Sequence, residues 1–182
     1  MSTVLTDVLV IGAGLAGERV AIEATARGAR VTVVALVPPR RSHSVAAQGG
    51  MQAALGNMAW SRDDSPDVHF EDTVKGSDWG ADQDVVRLLV ELAPMAVRQM
   101  SYWGVPWTRV VAGSHALPTG EMVEEAAEKE GLIAQRDFGG TRNWRACFAS
   151  DGTGHSLVYT LDNVIIQMGV EVHDRLEAVA LV

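Results

Sequence analysis

The feature that most constrains this 182-residue chain is a glycine-rich turn between two continuous apolar runs. The runs, residues 7–11 and 31–36, predict strands buried on both faces of a parallel sheet, and residues 15–27 have helical spacing. The turn has the spacing G-x-G-x-x-G and consists of Gly12, Ala13, Gly14, Leu15, Ala16 and Gly17. Because this spacing lets backbone approach a pyrophosphate at a helix N-terminus, it predicts a Rossmann-like α/β nucleotide site, with a merely structural turn as the alternative.

The second strand lacks the acidic residue that usually binds the ribose hydroxyls of a dinucleotide. Its end is occupied by Ala35 and Leu36, and residues 25–62 contain five arginines and no acidic side chain. A basic segment beside a pyrophosphate turn favours a dianionic cofactor. Solvated arginines on a helix and a loop would give the same composition, so this alternative stays open.

Composition excludes several classes of function. A net charge of −8 argues against nucleic acid as the main partner, because phosphate binding normally requires a basic excess. The single cysteine, Cys147, excludes an internal disulfide and cannot alone hold zinc or an iron–sulfur cluster, and the histidines have no metal-like spacing. No apolar run approaches the ~18 residues of a membrane span, and no secretory leader is recognisable. We expect no metal, no direct membrane span and a reducing, cytoplasmic location.

The remaining patterns predict one α/β domain over residues 1–182, without a repeat or linker. Beyond the glycine turn, helices are expected at residues 44–55, 84–103 (kinked at Pro94) and 154–168, and strands at 170–173 and 178–182. Residues 57–67 read as a polar loop, 113–131 as a charged exposed stretch and 138–141 as a turn. The sequence stops inside a predicted strand, from which we expect the N-terminal portion of a larger protein.

A second motif, RSHSVAAQGG at residues 41–50, places a histidine before small residues and two glycines. This stretch resembles the flavoprotein subunits of the succinate dehydrogenase and fumarate reductase family, most closely the menaquinone-linked fumarate reductases. The resemblance implies that FAD is bound covalently through His43 and that Asp151 of the SDGTG stretch contacts it, with a helix-capping role for Asp151 or Thr153 as the alternative. The other residues that it assigns to FAD are the glycine turn named above and Arg41, Ser42, Ser44, Ala46, Ala47, Gln48, Gly49 and Gly50.

Further stretches similar to this family cover nearly the whole chain: residues 69–83, 103–109, 136–141 and 149–157. The resemblance implies an oxidoreductase of the tricarboxylic acid cycle or of fumarate respiration, which exchanges a hydride between a dicarboxylate and FAD. It also implies an iron–sulfur subunit, a haem-containing membrane anchor and quinone as electron acceptor, with the flavoprotein peripheral on the inner face of the cell membrane.

The resemblance also implies what this segment lacks. The family's capping domain and the second part of its FAD domain, which supply the dicarboxylate-binding arginines and the proton donor, have no counterpart in these 182 residues. We therefore expect no catalytic residue in this segment and no activity of the segment alone. Two alternatives remain: a non-catalytic flavin- or nucleotide-binding module, and an enzyme similar to L-aspartate oxidase, which lacks the covalent histidine.

Overall fold

The fold, described from a computed structural model, divides into two compact units. The first comprises Met1–Ala47 and Gly154–Val182, and the second comprises Gln48–Thr153. The structure describes residues 3–116 and 120–180.

The described residues form eight strands and four helices, numbered in chain order. The strands are β1 (Val8–Ile11), β2 (Val31–Ala35), β3 (Met51–Gln52), β4 (Gly113–Ala116), β5 (Met122–Glu125), β6 (Gln135–Arg136), β7 (Ala146–Cys147) and β8 (Glu171–Asp174). The helices are α1 (Leu15–Ala26), α2 (Pro66–Gly76), α3 (Gln83–Trp103) and α4 (Thr153–Gln167).

The first unit contains a three-stranded parallel sheet in the order β1-β2-β8. Its central strand β2 pairs on both sides, with Val33 opposite Val10 on β1 and opposite Val172 on β8. Val33 is fully buried, as expected for a parallel strand covered on both faces. Helix α1 ends at Ala26 and is capped by Arg27, which is followed by Gly28 with a positive φ of 85°, the usual left-handed stop. The β1-α1-β2 prediction is therefore confirmed within two residues at each boundary.

The second unit combines a helix pair, a hairpin and a small sheet. Helices α2 and α3 enclose an apolar cluster that includes Val74, Val86 and Val90. Strands β4 and β5 form an antiparallel hairpin, and two-residue strands form a sheet in the order β3-β7-β6. Helix α3 begins at Asp82, whose carboxylate accepts hydrogen bonds from the N–H groups of its first turn, and it stops at Gly104 with φ 107°. Pro94 lies inside this helix.

Several sequence predictions were wrong in this unit and near its start. The helix predicted at residues 44–55 is instead a single 3₁₀ turn, His43–Ala46, followed by strand β3. A Cβ at Gly50 would lie 2.7 Å from the carbonyl oxygen of Cys147, so close antiparallel pairing with β7 replaces a helix there. The predicted polar loop at 57–67 overlaps the start of α2, which begins at Pro66 after Ser65 caps it by accepting a hydrogen bond from the N–H of Val68.

Two predictions near the end of the chain and around the hairpin are also corrected. Residues 178–180 form no strand, and the last two positions of that predicted strand lie outside the described residues. The charged stretch 113–131 contains the β4–β5 hairpin and the buried Glu125. Along the part of the chain that the structure describes, no helix combines the length and apolarity needed to cross a bilayer.

Candidate functional site

The glycine turn at the start of α1 has the close packing that its spacing predicts. Gly12 has φ +107°, a conformation that other residues rarely adopt. A Cβ at Gly17 would lie 1.8 Å from the carbonyl oxygen of Gly12, so no other residue fits where the first turn of α1 crosses the turn. A Cβ at Gly14 would lie 3.1 Å from Oγ of Ser44. The backbone N–H groups of this first helical turn have no intrahelical acceptor and can bind a diphosphate.

A cavity of about 480 Å³ lies over this turn, within the size range of small-molecule sites. It is lined by both predicted motifs of the first unit: Gly12, Ala13 and Gly14 from the glycine turn, and Ser42, His43 and Ser44 from the second motif. Hydrogen bonding also joins the motifs, since the N–H of Leu15 donates to Oγ of Ser44 at 3.4 Å. Residues 29 positions apart in the chain therefore share one site.

The other assigned residues of the first unit lie beside this cavity without lining it. Leu15, Ala16 and Gly17 form the first turn of α1. Arg41 ends a 3₁₀ turn, Pro39–Arg41, and is exposed. Ala46 and Ala47 follow His43 and are exposed, and the carbonyl oxygen of Ala47 accepts a hydrogen bond from the N–H of Gly154 at 2.7 Å.

Three of the five arginines in the basic segment, Arg27, Arg30 and Arg40, form ion pairs. Arg27 pairs with Glu23 at 2.9 Å, and Arg30 pairs with Asp7 at 3.5 Å. Neither arginine lines the cavity, so the solvated-arginine alternative describes them better than cofactor binding does.

Gln48, Gly49 and Gly50 belong to the second unit. Nη2 of Arg136 donates to the carbonyl oxygens of Gln48 and Gly49, at 2.9 and 3.0 Å. A Cβ at Gly49 would lie 2.4 Å from Cζ of Phe138, so the aromatic ring packs directly on the glycine backbone. The backbone of this predicted flavin-binding stretch is thus fixed by a guanidinium and by an aromatic ring.

Asp151 also lies in the second unit and is exposed. Among the described residues, no backbone N–H donates to its carboxylate, so the capping alternative has no support. Thr153, the other capping candidate, instead accepts a hydrogen bond from the N–H of Ala149 through Oγ1, at 3.2 Å. The predicted contact of Asp151 with FAD remains a prediction.

Sequence reasoning missed cavity residues that follow β2 and β8. Leu36 and Val37 continue from β2, and Leu176, Glu177 and Ala178 follow β8. The missed signal is topological: the carboxyl ends of adjacent parallel strands meet at one sheet edge, where ligands of α/β proteins bind. Glu177 is the one acidic residue among those lining this cavity, whereas the end of β2 has none.

Glu18 was also missed, although it lies in the first turn of α1. It is fully buried, and neither carboxyl oxygen has a hydrogen-bond partner among the described residues. Burial raises the pKa of Glu18 to about 8, with a further increase from Asp162 that Arg40 partly offsets. This group is therefore mostly protonated at neutral pH.

The residues around the glycine turn fit FAD. The turn provides a cradle that a Cβ would fill, the N-terminus of α1 offers N–H groups that have no acceptor within the helix, and His43 lines the same cavity as the turn. Such an arrangement can bind a diphosphate and expose a nucleophilic imidazole to the same ligand.

Comparison with known proteins agrees with this fit. The sequence model for the FAD binding domain matches residues 7–182. The fumarate reductase flavoprotein subunit of Helicobacter pylori is 48% identical over 185 residues, which cover 100% of this chain and 26% of the relative. The succinate dehydrogenase flavoprotein subunit of Coxiella burnetii is 40% identical over 171 residues, covering 90% of this chain and 26% of the relative.

Solved structures give the same result. A structure of E. coli quinol fumarate reductase superimposes with a TM-score of 0.75 at 35% identity and covers 96% of this chain and 26% of the matched one. The Sdh1 complex of Mycobacterium smegmatis in its apo form gives a TM-score of 0.78 at 31% identity, covering 93% and 27%. The chain thus spans about a quarter of the length of the relatives it matches. On the family match, the glycine cradle and this similarity, the chain belongs to the FAD-binding domain family and is similar to the flavoprotein subunits of fumarate reductase and succinate dehydrogenase.

Proposed function

We propose that the cavity over the glycine turn holds FAD, with Gly12, Ala13, Gly14 and the first turn of α1 as the diphosphate cradle. The observation that carries this proposal is that the turn and His43 line the same cavity. Gln48, Gly49, Gly50 and Asp151 are proposed as further FAD contacts, on their match to the family motifs and on the fixed backbone at residues 48 and 49.

The imidazole of His43 is proposed to bond to the 8α-methyl carbon of FAD. With FAD bound there, an N–H bond of the imidazole and a C–H bond of the methyl group would break and an N–C bond would form. The two electrons and two protons released would pass to the flavin ring, and dioxygen would remove them as hydrogen peroxide. His43 is exposed on the cavity, so the nitrogen can reach a bound ligand without rearrangement of the core.

In the native polypeptide, this region serves a subunit that interconverts succinate and fumarate. When bound, FAD supplies hydride transfer to or from the dicarboxylate. Electrons then pass to an iron–sulfur subunit and to quinone through a haem-containing membrane anchor, with the flavoprotein peripheral on the inner face of the cell membrane. This proposal is supported by similarity to flavoprotein subunits named for succinate dehydrogenase and fumarate reductase.

Covalent attachment is tested by denaturing the native polypeptide in acid and examining flavin fluorescence in the gel band. We expect a fluorescent band for the wild type and for His155→Ser, because His155 stacks on Tyr159, 4.0 Å between ring centres, and does not line the cavity. His43→Ser should give a dark band, although the folded variant should still bind FAD reversibly before denaturation. A dark wild-type band, or a fluorescent His43→Ser band, would contradict the covalent link.

The enzymatic part is tested by succinate-dependent dye reduction. The native polypeptide loaded with FAD should reduce the dye, whereas residues 1–182 alone should not, because catalysis requires positioned charges that the family places beyond this region. Dye reduction by residues 1–182 would show that this segment already contains the catalytic groups.

A further inference from the structure

Arg40, three residues before His43, is anchored on helix α4. Its Nε donates to a carboxylate oxygen of Asp162, and its Nη2 donates to Oδ1 of Asn163 at 3.0 Å. The guanidinium also lies 4.5 Å from the centre of the Tyr159 ring, within the range of a cation–π contact. These three contacts with α4 hold the side chain of Arg40 in place, although 41% of it remains exposed.

The other end of the same segment also meets α4. The N–H of Gly154 donates to the carbonyl oxygen of Ala47 at 2.7 Å. A Cβ at Gly154 would lie 2.2 Å from the carbonyl oxygen of Ser44, so the first turn of the helix lies directly against this backbone. His43 therefore lies between two attachments to one helix, and its own side chain is free to face the cavity.

A second carboxyl group lies near the ion pair without replacing Asp162 as the partner of Arg40. Glu18 on α1 is fully buried, and its pKa of about 8 keeps it mostly neutral at pH 7. Asp162 therefore supplies the negative charge opposite Arg40, and its side chain is only 9% exposed. Because the carboxylate of Asp162 is largely removed from water, loss of Arg40 would leave it without a counter-charge, which differs from the loss of a surface ion pair.

We propose that the ion pair between Arg40 and Asp162 positions the His43 turn for flavin attachment. The inference rests on the proposed covalent link at His43 and adds that the rate of bond formation depends on this anchor. Arg40 and Asp162 are positioning residues, because they act on FAD through His43 and neither lines the cavity.

Bond formation is more sensitive to position than reversible binding is. A displacement of about 1 Å of a reacting group can cost on the order of 100-fold in rate. In the proposed cradle, reversible binding of FAD depends mainly on the glycine turn, and among the described residues the polar contacts of Arg40 are with helix α4 and not with that turn. Loss of the anchor should therefore slow attachment by at least about tenfold and change reversible FAD affinity by less than about twofold.

The experiment uses the native polypeptide, prepared without FAD, in five forms: wild type, Arg40→Gln, Arg40→Lys, Asp162→Asn and Arg27→Gln. FAD is added, and acid-stable flavin fluorescence is followed with time. Reversible FAD affinity is measured by calorimetry for the same variants in a His43→Ser background, where no bond can form. Arg27→Gln is the matched control, because it removes an arginine whose ion pair with Glu23 lies on α1. Circular dichroism checks that each variant is folded, and Arg40→Lys tests whether charge without the planar guanidinium restores part of the rate.

Slow attachment in both Arg40→Gln and Asp162→Asn, with unchanged reversible affinity and a normal control, is the expected result. Attachment at the wild-type rate in folded Arg40→Gln would overturn the inference alone and leave the covalent link intact. A parallel loss of reversible affinity would also overturn it, since the anchor would then support binding or folding generally. A wild type that never becomes fluorescent would overturn the link at His43 and this inference together.

Discussion

Each unit contains a fully buried ionisable side chain, Arg145 in one and Glu18 in the other, and the two are accommodated in opposite ways. In the second unit, Arg145 is fully buried and charged, and it pairs with Asp64 at 2.7 Å and with Asp72 at 2.9 Å. In the first unit, Glu18 is equally buried but has no partner among the described residues, and its pKa of about 8 keeps it mostly neutral at pH 7. A group removed from water must either have a counter-charge or lose its own charge.

This difference predicts that the stability of the two units depends on different interactions. The ion pairs of Arg145 connect residues 64, 72 and 145, so they hold together segments that are distant in the chain. Glu18 lies in a helix whose place is fixed by glycine packing, and its neutral form is tolerated there. We therefore expect the second unit to be sensitive to loss of the Arg145 charge and the stability of the first unit to depend on pH through Glu18.

The largest effect is expected from Arg145→Met. Removing one member of a buried ion pair leaves the carboxylate of Asp64 buried and uncompensated, which typically costs about 3–5 kcal/mol. Urea unfolding should show this loss in the free energy of unfolding. Arg142→Gln is the control, because its side chain is 51% exposed and water can solvate the charges that it leaves, so its effect should be clearly smaller. A loss in Arg145→Met no larger than that of Arg142→Gln would mean that the buried ion pairs add little to stability.

The next effect is a pH dependence that Glu18 imposes. In the unfolded chain Glu18 ionises near pH 4.5, and in the folded chain it ionises near pH 8. Between these values the folded state retains a proton that the unfolded state has lost. The contribution of Glu18 to stability is therefore fully present below about pH 4.5 and is lost as pH rises to about 8.

The slope for one such group is about 1.4 kcal/mol per pH unit. Glu18→Gln should remove this slope from the pH profile of the free energy of unfolding, so that the variant gains stability relative to wild type between pH 5 and 8. Parallel profiles for the two proteins would mean that Glu18 is charged in the folded state.

A smaller effect on folding, with a large effect on ligand binding, is expected for Gly17→Ala. The added methyl group would lie 1.8 Å from the Gly12 carbonyl oxygen, so the helix or the turn must move. Such overpacking costs about 1–3 kcal/mol, and FAD binding measured by calorimetry should be lost. Gly76→Ala is the matched control in the other unit, because a Cβ there meets nothing within 4 Å. Normal FAD affinity in Gly17→Ala would contradict the proposed cradle.

The smallest effect is expected in the labelling of the Cys147 thiol, which lies in the second unit. Burial raises the pKa of its thiol to about 12, so almost no thiolate exists at pH 8. We expect a thiol-specific disulfide reagent to label Cys147 only as the second unit opens in urea. Rapid labelling of the folded chain would show that the β3-β7-β6 sheet opens readily.

Elements defined by a local sequence pattern could be predicted from the sequence, whereas contacts between residues distant in the chain could not. The β1-α1-β2 unit followed from apolar runs and glycine spacing within one short stretch. Helix α2 could also have been predicted, since Ser65-Pro66-Asp67 is a typical helix start. The two-residue strands depend on pairs such as Met51 with Cys147, which no local periodicity reveals.

The candidate site divides in the same way. The glycine turn and the His43 motif were each recognisable, but their common cavity required the fold. The raised pKa of Glu18 depends in part on Asp162, which lies 144 positions later in the chain. The ion pair between Arg40 and Asp162 likewise joins residues that are far apart in the sequence. Nothing in the local pattern of residues 176–178 predicts a place at the cavity, because only the pairing of β8 with β2 brings them there.

The most direct test is mass spectrometry of peptides from the native polypeptide, purified after growth with riboflavin and digested in acid. We predict that the peptide containing His43 has the added mass of FAD less two hydrogens and that fragmentation places this mass on the imidazole. A His43 peptide of unmodified mass, or FAD attached to another residue, would contradict it.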